Sequence, residues 1–146
     1  MTGDSLPNLV GTWRLVSYEA RTSGGEDRYP LGQRVVGQLF YDECGNMSAH
    51  VMRVDRPMFA SDDSGAGTDA EVRAAFEGHV SYFGTYTIDP SARTVTHHVR
   101  GASYPNWMGH DQIRYYRIDG SHLVLSSPPI LDRGELLEYT LTWERI

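Results

Sequence analysis

The chain has 146 residues, 40% hydrophobic and 22% charged, and a net charge of −6. That is enough chain to bury a core as one domain spanning residues 1–146, and too apolar for disorder. The negative balance argues against a nucleic-acid partner, and no apolar run is long enough to cross a bilayer. All 13 basic residues are arginine, which removes Schiff-base chemistry and a phosphate-loop lysine. One cysteine, Cys44, allows no internal disulfide, and its turn context reads as an exposed thiol. The opening MTGDSLPN lacks a basic region followed by an apolar one, so no secretory signal and a cytoplasmic location are expected.

In chain order, residues 8–20 (NLVGTWRLVSYEA) read as a first strand. Trp13, Leu15, Ser17 and Glu19 alternate against Arg14, Val16, Tyr18 and Ala20, and Gly11 gives the backbone freedom to bend just before the tryptophan. Residues 35–41 and 47–54 flank the turn DECGN and predict a β-hairpin. Thr68 and Glu71 have capping-box spacing ahead of a short helix over about residues 69–80. Its apolar face carries Val72, Ala75, Phe76, His79 and Val80, suited to a lid or plug over one barrel end. Strands follow at 81–88, 93–101, 112–118 and 122–126, with an aromatic loop at 103–111. The final strand, 136–146, alternates Leu137, Tyr139, Leu141 and Trp143 against Glu138, Thr140, Thr142 and Glu144. Eight strands joined mostly by short turns predict an all-β fold, an antiparallel barrel with one short helix, whose Trp-bearing first and last strands pair to close it.

Several stretches carry a resemblance to a known family. They are Gly11-Thr12-Trp13-Arg14-Leu15-Val16-Ser17, Pro30-Leu31-Gly32, Gly45-x-Met47-Ser48-Ala49 and Arg53-x-Asp55-Arg56-Pro57. The passage 68–86, Thr96-His97-His98, Pro105-Asn106-Trp107, Gln112-x-Arg114-Tyr115 and Leu141-Thr142-Trp143-Glu144 continue the pattern. Together they resemble the bacterial and fungal lipocalin-like domain family over nearly the whole chain. The resemblance implies a lipocalin-like, calycin-type barrel with an internal pocket. It also implies a setting in natural-product biosynthesis, where related barrels bind intermediates or shape their cyclisation or isomerisation.

Adjacent strand residues face opposite ways, so His97, with Val95 and Val99, is expected inside and His98 outside. His97 is either a core histidine bonded to a tyrosine or carbonyl, or a ligand-orienting or acid/base group. Tyr86, Tyr115 and Tyr139 either point inward as phenols for a carbonyl or enol ligand, with Gly84 leaving room beside Tyr86, or fill the rim or core with their hydroxyls reaching solvent. Arg53 is either a carboxylate clamp or the partner of Asp55 or Asp42 at the barrel mouth. His50 lies on the opposite face of the same strand. Trp107, with Tyr104 and His110, either closes over a ligand or packs on the helix or a second subunit.

The expected ligand-binding set is Trp13, His50, Arg53, Tyr86, His97, Trp107, Tyr115 and Tyr139, with His97 and Tyr115 as catalytic candidates if the protein is an enzyme. No metal or other cofactor is expected, since none of the six histidines has a recognisable ligand spacing. Three functions remain open: binding of a small hydrophobic or aromatic metabolite, cofactor-independent cyclisation or isomerisation of a polyketide-like intermediate, or a packed barrel serving as an interaction module. A homodimer is compatible with each.

Overall fold

A computed structural model describes residues 6–146; the leader expectation drawn from the first residues falls largely outside them. β1 (Gly11–Thr22) opens the barrel. Gly11 adopts φ 134°, and a Cβ there would lie 2.8 Å from the Arg145 guanidinium, so the bend before Trp13 requires glycine. After the short β2 (Asp27–Arg28) come β3 (Val35–Tyr41) and β4 (Asn46–Arg53), then α1 (Asp69–Glu77), β5 (His79–Asp89) and β6 (Thr94–Ala102). A 3-10 turn (Pro105–Trp107) leads to β7 (Asp111–Asp119), β8 (His122–Ser126), β9 (Ile130–Asp132) and β10 (Glu135–Arg145).

The barrel order is β1-β3-β4-β5-β6-β7-β8-β10, with every neighbouring pair antiparallel. β10 closes the barrel against β1, from Trp13↔Arg145 to Thr22↔Leu137. The eight-stranded, lipocalin-like barrel is therefore as expected; β2 and β9 are small additions along β1 and β10. Closure leaves no edge strand in the barrel wall to template aggregation.

Tight turns gather at one end. There the Asp42 carboxylate accepts from the amides of Cys44 and Asn46, and Asp89 similarly holds the turn at Ser91 and Ala92. This end is plugged. Trp13 is fully buried, and its indole donates to the Leu9 carbonyl at 2.9 Å. Arg145 stacks 4.1 Å from the Trp13 ring centre and donates to the carbonyls of Val10 and Asn8. Leu39, Tyr41, Met47, Val95 and Leu123 fill the space above it. The longer connections, including α1, lie at the other end.

Three local features depart from the sequence reading. In β1, Leu15 faces Trp143 and Ser17 faces Thr142, so Val16 is an extra, bulged residue. Alternation resets there, and Tyr18 and Ala20 join Trp13 and Leu15 inside, while Glu19 stays exposed. The helix ends at Glu77 rather than near residue 80. Gly78 caps it by donating to the Ala74 and Phe76 carbonyls, and His79 and Val80 begin β5. In β7 the faces are inverted: Gln112, Arg114 and Tyr116 are less exposed, while Ile113 and Tyr115 are outside. The register explains why, because His97 pairs with Gln112 and Thr96 with Ile113, and directly paired residues share a face.

Candidate functional site

Above the plug the barrel holds a cavity of about 560 Å³. Leu39, Ala49, Val51, Leu125, Leu141 and Trp143 form its apolar walls, and Leu31, Phe76, Trp107 and Ile130 surround the mouth. The polar groups Tyr18, Tyr82, His97, Arg114, Asp132 and Tyr139 also line it. An apolar chamber with a few convergent polar groups is the usual form of a small-molecule site.

His97 is buried and held between two phenols: Tyr41 lies 2.6 Å from Nε2 and Tyr82 2.6 Å from Nδ1. Burial, reinforced by the positive charge of Arg114 and then of His98, pushes its pKa down to about 3, so the ring is neutral at physiological pH. Burial raises the Tyr41 and Tyr82 hydroxyls, with Arg114 opposing in both cases. Tyr18 is also raised by burial, an effect that Arg114 opposes and Asp132 strengthens. Tyr139 donates to the Asp132 carboxylate at 2.8 Å and is raised by burial and by that bond. Both His97 nitrogens are engaged, and the Tyr139 hydroxyl proton is committed to Asp132.

Of the residues expected at the site, the barrel brings together His97, Trp107 and Tyr139. Trp107 stands edge-on to Tyr82, with ring centres 6.1 Å apart, and edge-on to Tyr104. The others lie elsewhere. Trp13 belongs to the plug. Tyr86 sits beside it, donating to the Asp42 carbonyl and packing edge-on against Tyr41. The room expected beside Tyr86 is absent, because a Cβ on Gly84 would lie 1.9 Å from the His98 carbonyl oxygen of β6. Arg53 pairs with Asp55 at 2.9 Å, the plainer of its two expected roles. His50 and Tyr115 are exposed on the outer surface, because their strand positions put their side chains on the outward face. His98 is outward as expected, bonded to Asp111 and Thr87.

The sequence reading missed Tyr18, Tyr82, Arg114 and Asp132. Tyr82 carried a signal, since it shares the period of Tyr86. Arg114 carried one too, through the His97 pairing. Tyr18 carried none, because the Val16 bulge hides it. Among the described residues no group of three or more His, Cys, Asp or Glu side chains is arranged to hold a metal ion, and no helix is long and apolar enough to cross a membrane. Cys44 is exposed and unpaired.

A closed antiparallel barrel, plugged at one end and hollow toward the other, defines a calycin-type cavity protein. The family model described as lipocalin-like domain matches residues 10–146, and the chain belongs to that family. It is similar to the 4'-hydroxy-3'-methoxypropiophenone carrier protein of Aspergillus oryzae, with 36% identity over 107 residues, covering 68% of this chain and 96% of the relative. No solved structure matches the chain significantly.

Proposed function

We propose that this protein binds and carries a small aromatic metabolite inside its barrel, in the setting of secondary metabolism. The observation that supports this most is the cavity itself: about 560 Å³, mostly apolar, with its polar side chains gathered into a few groups. That volume suits a monocyclic or bicyclic aromatic ligand. The relative is named for carrying an aryl ketone, and the aromatic lining here offers flat surfaces for such a ring.

Carriage is favoured over cyclisation or isomerisation by the state of His97. Both ring nitrogens are engaged by tyrosines, so the imidazole has no free nitrogen for a substrate proton. General acid/base catalysis needs a group within reach of the reacting atom and a pKa near the working pH.

The test is native mass spectrometry and thermal unfolding with 4'-hydroxy-3'-methoxypropiophenone as probe. One-to-one binding in the micromolar range, about −8 kcal/mol, with the probe recovered unchanged, is the expected result. Chemical conversion of the probe would overturn the carrier reading in favour of an enzyme, and absence of binding to this and a wider aromatic panel would favour a packed barrel.

A further inference from the structure

We propose that the cavity takes its ligand through an anionic or strongly accepting oxygen, a phenolate, enolate or carboxylate, received by Arg114 and the Tyr82 hydroxyl. This deepens the carrier reading and rests on it. The first argument is a proton count. Tyr41 is fully buried, and the Nε2 atom of His97 is the one acceptor its hydroxyl meets among the described residues. A buried hydroxyl that finds an acceptor donates to it, so Nε2 accepts and the proton of the neutral imidazole sits on Nδ1. The Nδ1–H then donates to the Tyr82 oxygen. Tyr82 therefore has its own O–H left over, and Tyr82 lines the cavity.

The second argument is a charge count. Three arginines, Arg73, Arg114 and Arg133, and two carboxylates, Glu77 and Asp132, line the cavity, an excess of one positive charge. Glu77 is paired with Arg73 at 2.9 Å, and Asp132 accepts from the neutral Tyr139 and keeps its charge. Arg114 is different. Its guanidinium donates to the Ile113 carbonyl and the Gln112 side-chain oxygen, both neutral, and no carboxylate lies within 4 Å of it among the described residues. An arginine facing an apolar chamber without an anion is poised for one. One further donor points the same way: Tyr18 lines the cavity, and its hydroxyl has no hydrogen-bond partner among the described residues. Arg114, Tyr82 and Tyr18 thus offer spare donors to the cavity, which suits an oxygen-rich, proton-poor ligand edge.

The experiment compares para-hydroxypropiophenone with its methyl ether, para-methoxypropiophenone. They share shape and ketone, but only the first can ionise to a phenolate, which absorbs at longer wavelength. Both are titrated at a pH where the free phenol is mostly protonated, with wild type and with Arg114→Gln. The substitution leaves no carboxylate stranded, so folding should be kept, as thermal unfolding will verify. The expected result is a phenolate band on binding, affinity for the phenol at least about tenfold above that for the ether, and loss of both the band and the preference in Arg114→Gln. Tyr82→Phe should weaken phenol binding in the same direction. Equal affinity for the two probes, no phenolate band and an indifferent Arg114→Gln would overturn the proposal while leaving the carrier reading intact. Binding of neither probe would overturn both.

Discussion

Leu15 and Tyr18 point into the same barrel although they lie three positions apart on one strand. Strict alternation would put them on opposite faces, and the bulged Val16 is what reconciles them. Val16 is 44% exposed, so it contributes register rather than core. Deleting Val16 is expected to leave Trp13, Leu15, Tyr18 and Ala20 inside in plain alternation, with a cost of about 1–2 kcal/mol from altered twist. Deleting Arg14 should instead break the Leu15–Trp143 register and abolish cooperative folding. Denaturant unfolding of the two deletion variants checks the contrast.

His97 predicts a pH signature. Its folded pKa of about 3 lies below the unfolded value near 6.5. Between those values the unfolded chain binds the proton more tightly, so stability is full above about pH 6.5 and falls as the pH drops toward 3, by on the order of 4 kcal/mol. Asp42, Asp55, Asp89 and Glu71, whose pKa values are also lowered, change stability in the same direction as the pH falls. A His97→Gln series separates them. The variant is expected to be less stable at pH 7 by about 2 kcal/mol, through imperfect pairing of Tyr41 and Tyr82, and to show a distinctly shallower loss between pH 6.5 and 3.

Gly84 and Gly101 differ in what a methyl group would meet. At Gly84 it would strike the His98 carbonyl of the adjoining strand, which cannot move without breaking the ladder. At Gly101 it would strike the ring of Phe83, an exposed side chain free to swing away. Gly84→Ala should therefore cost about 3 kcal/mol or more and Gly101→Ala under about 1 kcal/mol. Equilibrium unfolding in urea measures both.

Trp107 stands at the cavity mouth against Tyr82 and Tyr104, supported by a 3-10 turn with no buried residue. Trp107→Ala is expected to leave thermal stability nearly unchanged and to speed ligand release about tenfold, since a large aromatic wall is lost from the exit. Stopped-flow displacement measures the rate.

The fold was legible because its evidence is periodic and repeated. Alternation in β10 and β6, the turns at Asp42 and Asp89, and the Thr68–Glu71 capping box each survive in the structure. On the strands the site was legible only where alternation runs unbroken, as at His97 and Tyr139, and in the loops through the aromatic Trp107. It failed at Tyr18, because a bulge leaves no compositional mark. It failed at Tyr115, because β7 carries polar and apolar residues on both faces and only the ladder to His97 decides between them. The helix end was in fact written in the sequence, since Glu77 is followed by a capping glycine.

The most direct test of intracavity carriage reads the three tryptophans. Trp13 is sealed in the plug and bonded to Leu9, Trp143 lines the cavity with its indole N–H unpartnered among the described residues, and Trp107 borders the mouth. In nitrogen-15 correlation spectra, a bound aryl ketone should shift the Trp143 and Trp107 indole signals strongly and leave Trp13 almost unmoved. Saturable binding that leaves Trp143 and Trp107 in place would contradict the account, because the ligand would then lie outside the barrel.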